Sequence, residues 1–434
     1  MEVEVISNEI TKPSSQTPSH LSPYKFSFLD QLCPKAYNPF LYFYALNYDH
    51  KIADISNKLK KSLSQALTLY YPLAGRFMDE NFLECNDDGA LFLEAQVKTK
   101  LSNVVENSIP CGELNKLLPF ELEDIAELPL GVQLNVFECG GIALGVCISH
   151  KLADALSCLV FIRSWMAIAC GENDDVTVVR PDFVSATLFP PRNMCGIDTS
   201  SFTMLKKSTV TTKRFVFDAS KIESLRAKYT AKTRGEKSSK RPSRVEAVSA
   251  FIWSRFIAAT KVESEAAGKL YTLNHAVNLR PRFNPPLPEH SFGNLFRTAT
   301  TIPSMITNNG EESYNYSLAR KIGEDIKKID MDYIEDFRVE RDDFLENYKK
   351  NAEKFVNEEI IPLVFTSLCR FPLYEADFGF GKPVWVSSAA RCFRNTVGFM
   401  DNKSGDGIEA YICLKPDDMA KFEVDQEFLA FLGS

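Results

Sequence analysis

Gly140-Gly-Ile-Ala-Leu-Gly-Val-Cys-Ile-Ser-His-Lys-Leu-Ala-Asp154 is the stretch around which the chain is organised. From Ile142 to Ile148 every residue is small or apolar, the pattern of a buried strand. The run ends on Ser149 and His150. Leu152, Ala153, Ala155, Leu156, Leu159, Val160 and Ile162 then follow at mostly helical spacing. His150 is therefore expected at a strand-to-helix corner, where a rigid scaffold commonly presents a functional side chain. An imidazole there titrates near neutral pH and can serve as a general base. If Asp154 sits on the helix four residues later, it shares a face with His150 and can orient the ring. The alternative is that Asp154 pairs with an arginine elsewhere and shapes the corner.

Working outward, Val132 to Phe137 reads as a strand that turns at Gly140-Gly141 into the one carrying His150. Residues 1–24 are polar and proline-dotted, so extended. The aromatic clusters Phe26 to Leu29 and Phe40 to Leu46 read as strands. Ile52, Ile55, Leu59, Leu63, Ala66 and Leu67 repeat at helical spacing, and Tyr71-Pro72-Leu73-Ala74-Gly75-Arg76 stops that helix. Asn86-Asp87-Asp88-Gly89 carries a hairpin signal, followed by a strand from Leu91. In the second half, Ser243-Arg-Val-Glu246 resembles a capping box opening a helix through Ala258. Leu270 to Val277, Ser291 to Ile302, Leu363 to Leu368, Val384 to Ser387 and Ile408 to Leu414 read as strands. Residues 311–350 read as charged amphipathic helices, and Pro416 starts a terminal helix. The expected division is a first domain over 1–190, a crossover at 191–212 and a second domain over 213–434.

The 434 residues are 45% hydrophobic and 25% charged, a soluble globular balance with room for a sizeable core. Eleven cysteines are scattered without a Cys-x-x-Cys pair, which suits reduced thiols in a cytoplasmic protein. The start, Met1-Glu-Val-Glu-Val, is not a secretory signal, and no apolar run reaches the length of a membrane span. A net charge of −7 argues against nucleic-acid binding. Against that acidity, residues 205–244 hold thirteen Lys or Arg and three Asp or Glu, +10 locally. This is either a solvated face or a surface for a polyanion such as cofactor phosphates.

Of the five histidines, His20, His50, His150, His275 and His290, only His150 stands between a buried-looking strand and a helix. Metal-ligand spacings are lacking, so no metal is expected. Strand alternation puts Cys147 on the face opposite His150, which disfavours a thiol nucleophile. Asp377-Phe-Gly lacks the other kinase signatures, and phosphate-loop and nucleophile-elbow patterns are missing.

The pair of motifs His150-Lys-Leu-Ala-Asp154 and Asp377-Phe-Gly-Phe-Gly-Lys-Pro383 resembles the BAHD family of plant acyl-CoA-dependent acyltransferases. Lys12-Pro13-Ser14-Ser15, Thr17-Pro18, Leu29-Asp30-Gln31, Tyr71 to Arg76, Cys85 to Gly89, Asn278-Leu-Arg280 and Gly293-Asn294 extend the match nearly end to end. The N-terminal pattern is most similar to the branch that acylates alkaloids and other specialised alcohols. The resemblance implies a two-domain, chloramphenicol-acetyltransferase-like α/β fold, with mixed sheets flanked by helices and an active-site channel between the domains. It implies an O-acyltransferase with His150 as base, acyl-CoA (acetyl-CoA first) as co-substrate and no resident cofactor. Amide formation, or a catalytically silent binding partner, is the alternative.

Within that resemblance Asp154 pairs with Arg280, and Asp377 with Gly379 supports the fold, both aspartates being carried with His150 as motif residues. Ser243 and Arg244, at a helix N-terminus beside the basic stretch, are the expected holders of the CoA phosphates, with Asn294 alongside. Thr366 or a backbone amide is the expected oxyanion donor. Phe380 and Leu368 stand where the family usually has tryptophan. A monomeric cytoplasmic enzyme taking acyl-CoA and a small alcohol, away from membranes and nucleic acid, completes the expectation.

Overall fold

The apolar run leading to His150 forms a strand, Ile142–Ser149, in which all eight residues are buried. A computed structural model describes the chain apart from residues 47–50, 108, 123–126, 173–176, 195–209, 231–240, 261–267, 306–310, 340–341, 392 and 434. The chain divides into two units: residues 1–200, 287–295 and 372–391 form one, and residues 201–286, 296–371 and 392–434 the other. His50, most of the crossover expected at 191–212 and much of the basic stretch lie outside the described residues. Segments 287–295 and 372–391, assigned from the sequence to the second domain, fold with the first unit.

In chain order the strands are β1 (Val3–Thr11), β2 (Tyr24–Lys25), β3 (Tyr37–Tyr44), β4 (Arg76–Phe77), β5 (Phe82–Glu84), β6 (Ala90–Val97), β7 (Leu130–Phe137), β8 (Ile142–Ser149), β9 (Thr211–Phe217), β10 (Leu270–Asn278), β11 (Phe296–Thr301), β12 (Ile360–Ser367), β13 (Trp385–Ser387), β14 (Thr396–Asp401) and β15 (Ile408–Leu414). The large sheet of the first unit runs β1-β6-β7-β8-β3-β13. β8 pairs antiparallel with both β7 and β3. A strand covered on both faces has no polar side to alternate, which is why β8 is small or apolar from Ile142 to Ile148. Its Gly145 is required because a Cβ there would collide with the Leu117 carbonyl. Leu117, Leu114, Leu101 and Val104 form one apolar cluster with Cys147 and Ala143 of β8. The helices Ile52–Leu69 and Ala155–Ala169 pack together, Trp165 Nε1 donating to Ser62 Oγ at 3.0 Å. Burying each large aliphatic or aromatic side chain here contributes about 1.5–3 kcal/mol.

Two local expectations change. Phe26 to Leu29 is not a strand: a capping box between Ser27 and Asp30 starts a short helix, Phe28–Gln31. The periodicity of a four-residue aromatic run cannot distinguish the two states. Nor is Asn86–Gly89 a hairpin, since β5 pairs with β2 and β4 while β6 pairs with β1 and β7. Asp87 at φ 57° and Gly89 at φ 91° instead carry the chain from one sheet to another.

The second unit is built on a sheet ordered β11-β10-β12-β14-β15-β9. The expected capping box is present, Ser243 N donating to Glu246 Oε2 at 2.6 Å and Glu246 N to Ser243 Oγ at 3.2 Å. It opens the helix Arg244–Thr260, whose Phe251, Trp253 and Phe256 share a core with Phe217, Phe399 and Phe428. Among the described residues no helix is long and apolar enough to cross a membrane, and no cluster of ligating side chains is placed to hold a metal ion.

Candidate active site

β8 ends where Ser149 N donates to Pro129 O at 2.8 Å and His150 N to Ala36 O at 2.7 Å. Leu152 N and Ala153 N then both donate to Ser149 O, turning the chain off the sheet. Asp154 is the N-cap of the helix that follows, its Oδ1 accepting from Ser157 N at 2.9 Å. Asp154 therefore precedes the helix, and the same-face geometry expected from a regular i, i+4 spacing does not arise. Its Oδ2 accepts from Leu295 N at 3.1 Å. The buried Lys151 braces the corner from behind, donating to Gln31 O at 3.0 Å and facing Glu80 at 3.2 Å.

The segment 293–295 is fastened to the helix start. Gly293 N donates to Ser157 Oγ at 3.1 Å, and Ser157 Oγ donates back to Gly293 O at 3.0 Å. Gly293 sits at φ 127° beside Ser185 Oγ, where a side chain has no room. This places Asn294 against the catalytic candidate, with His150 Nδ1 3.1 Å from Asn294 Oδ1. Asn294 Nδ2 donates to His150 O at 2.8 Å and to Asp30 Oδ1 at 2.9 Å. Asn294, expected among the cofactor-binding residues, is thus a partner of the His150 ring. The site is assembled from three stretches: 27–31, 149–157 and 293–295.

Burial holds the His150 imidazole below its ordinary pKa. Its own carbonyl, Asp154 and Asn294 pull the other way, and the Arg391 charge adds to the lowering. The net result is a ring kept neutral, the state a base requires. Arg391 was not singled out from the sequence, where nothing marks one arginine in a loop.

Asp377 takes a different role. Its Oδ1 accepts from the backbone N of Gly379, Phe380 and Gly381 at 2.7, 3.1 and 2.9 Å, closing its own loop. Phe378 packs edge-on against Trp165 at 4.9 Å and Phe380 against Tyr44 at 4.9 Å. Gly379 has φ 86° and faces Lys58. The second motif therefore organises a loop on the Ala155–Ala169 helix.

The other candidates lie in the second unit. Arg280 is buried, its N and Nη1 donating to Asn278 Oδ1 at 3.1 and 3.2 Å. Thr366 is half-buried on β12, opposite Gly398 of β14. Arg244 Nη2 donates to Asp401 at 2.9 Å, and its Nη1 donates to Gly405 O and Asp406 O. Arg214, Arg226, Lys228 and Arg241 of the basic stretch likewise face Glu409, Glu223, Glu427 and Glu223. Glu409 and Glu427 reach the stretch from elsewhere in the unit, while Glu223 belongs to the stretch itself and serves two of its arginines.

A family described as the Transferase family matches residues 1–429. The chain belongs to it and is a BAHD acyltransferase. This acyltransferase is 37% identical over 444 residues to stemmadenine O-acetyltransferase of Catharanthus roseus, covering 100% of the chain and 98% of that protein. It is 38% identical over 442 residues to a limonoid 21-O-acetyltransferase of Citrus sinensis, covering 99% and 98%. The crystal structure of vinorine synthase matches with a TM-score of 0.79 at 35% identity, covering 100% of this chain and 99% of that one. The mixed α/β architecture expected from the motifs is shared with that structure.

Proposed function

We propose that this BAHD acyltransferase moves an acyl group, acetyl first, from acyl-CoA to a hydroxyl of a plant specialised metabolite such as an alkaloid. The observation that carries the reading is the contact of His150 Nδ1 with Asn294 Oδ1 at 3.1 Å. An amide oxygen only accepts, so Nδ1 holds the proton and Nε2 keeps the lone pair of a base. The names of the relatives, an alkaloid O-acetyltransferase and a limonoid O-acetyltransferase, support the hydroxyl acceptor and the acetyl group.

Nε2 takes the acceptor's O–H proton as that oxygen attacks the thioester carbonyl carbon. The C–S bond then breaks, and the imidazolium returns the proton to the departing CoA thiolate. Holding both substrates together makes a covalent acyl-enzyme unnecessary. The proposal includes Thr366 as oxyanion donor and Ser243 with Arg244 as phosphate contacts. For Arg244 this requires the cofactor to share a guanidinium already held by Asp401. A cytoplasmic monomer is the accompanying reading, supported by the net charge of −7 and by the lack, among the described residues, of a helix able to span a membrane.

The test is incubation of the purified enzyme with acetyl-CoA and a panel of acceptors: an indole-alkaloid alcohol, a limonoid alcohol, a simple aromatic alcohol and the matching amines. Ester products with stoichiometric release of CoA thiol are expected. Amides alone, or no thiol release with any acceptor, would overturn the reading.

A further inference from the structure

We propose that Asp30 is a positioning residue for catalysis, fixing the His150 proton on Nδ1 through the side-chain amide of Asn294. The inference rests on His150 being the base. It concerns what sets that base's proton.

Asp30 is completely buried. Its two oxygens have separate tasks. Oδ2 accepts from Ser27 N at 2.8 Å and Ser27 Oγ at 2.6 Å, which is the capping box. Oδ1 accepts from Asn294 N at 2.9 Å and Asn294 Nδ2 at 2.9 Å. Capping a four-residue helix accounts for the first oxygen and leaves the second without a local purpose.

The second oxygen determines which way the Asn294 amide faces. A carboxylate and a carbonyl can only accept, so the Asn294 group between Asp30 Oδ1 and His150 O must be the NH2. Its oxygen is thereby turned to His150 Nδ1. That oxygen also only accepts, so the ring must donate from Nδ1, and a neutral ring has a single proton to place. The hydrogen-bond polarity runs without ambiguity from a charge, through one amide, to the imidazole. The same charge favours the imidazolium that forms when Nε2 takes the substrate proton.

Among the described residues, four titratable groups besides Asp30 act on this chain of contacts: Tyr24, Lys151, Asp154 and Arg391. Burial keeps the Tyr24 phenol, which feels the Asp30 charge, protonated to well above the usual range. Lys151 is held by Glu80 and Gln31 O. Asp154 and Arg391 act on the ring with opposite sign. Burial holds the Asp30 pKa above its ordinary value, its four hydrogen-bond donors pulling it back only in part. Among the described residues, only Asp30 is coupled to Asn294 by hydrogen bonds to both its backbone and its side chain.

The test is 15N NMR of the histidine-labelled protein, with the His150 signal assigned by its loss in His150→Gln. The wild type should show the Nδ1–H tautomer near pH 7. In Asp30→Asn, the new side chain keeps its oxygen on Ser27 and turns its NH2 against the Asn294 donors. Asn294 then flips, and the proton moves to Nε2. For acetyl transfer to whichever alcohol of the panel turns over fastest, kcat should fall roughly 100-fold, within the range of lost acid–base catalysis. KM for acetyl-CoA should hold within about twofold, and the acid limb of the pH profile should move to lower pH. The double variant Asp30→Asn with Asn294→Asp restores the polarity, because Asn at 30 donates to a carboxylate that accepts from Nδ1–H. At least tenfold of the lost kcat should return. Ser27→Ala removes the capping hydroxyl alone and should lower Tm without moving the tautomer signal.

An Nε2–H ring in the wild type overturns the proposal without any variant, and so does a folded Asp30→Asn protein with wild-type kcat and an Nδ1–H ring. Retained turnover in His150→Ala would instead remove the base assignment and leave the tautomer measurement standing.

Discussion

Each unit holds a histidine on a strand of its sheet or at its end, His275 buried and His150 half-buried, and the two rings have opposite uses. His275 lies within β10, flanked by β11 and β12, with Nε2 3.0 Å from Ser249 Oγ and its ring stacked on Phe365 at 4.9 Å. Burial pushes its pKa down to about 3. His150 is also kept neutral by burial, but it stands just past the end of β8 and faces Asn294. A serine hydroxyl both donates and accepts, so Ser249 leaves the His275 tautomer open. The Asn294 amide, pinned by Asp30, does not. Burial alone therefore makes a neutral imidazole. A fixed-polarity partner and a strand end turn such a ring into a directed base.

The largest effect expected from breaking this contrast is at His150. His150→Ala should lower kcat roughly 100- to 10,000-fold while circular dichroism and Tm stay close to wild type. A variant keeping more than a tenth of the activity would leave the two histidines functionally alike. Next comes Asp154→Asn. Asparagine still caps a helix, but one of the two acceptors for Ser157 N and Leu295 N becomes a donor. A loss of about 1–2 kcal/mol in denaturant stability is expected, together with a kcat reduced about tenfold as the His150 corner and the 293–295 segment loosen. Full activity in a destabilised Asp154→Asn protein would show that the cap and the base are independent.

How far the sequence foretold this site follows from the range of the contacts. The strand Ile142–Ser149, the corner at His150 and the Ser243–Glu246 capping box are local patterns, and all three are present. The partners of His150 are not local. Asn294 is 144 residues after His150, and Asp30 and Asn294 are 264 residues apart. No periodicity connects them, so the sequence points Asn294 toward the cofactor and leaves Asp30 as part of an N-terminal signature. Asp30 directly follows Phe26 to Leu29, a run with the composition of a strand in which only Ser27 with Asp30 marks a helix start. Arg244 misleads for the opposite reason. A basic run suggests a polyanion, but its acid partner Asp401 comes from the far end of the unit. β13 returning to pair with β3 is likewise invisible until the fold brings residues 385–387 and 41–43 together.

The smallest effect on turnover, and the sharpest check on the contrast, is at His275. The unfolded imidazole takes a proton near pH 6.5, while the folded ring refuses it until about 3. Below 6.5 the unfolded state therefore binds more protons, and folding stability falls as pH falls. The slope is about 1.4 kcal/mol per pH unit across that window, and full stability is present only above it. His275→Gln removes the titration and keeps a group able to bond Ser249 Oγ. Urea denaturation at pH 7 should show a loss of about 1–2 kcal/mol from imperfect packing on Phe365. Between pH 6 and 4.5 the variant should lose stability more slowly than wild type, so the two curves converge. Its kcat should remain within about twofold at pH 7 if the second histidine serves packing alone. A kcat lowered tenfold in a stable His275→Gln protein would mean that the two rings share the chemistry.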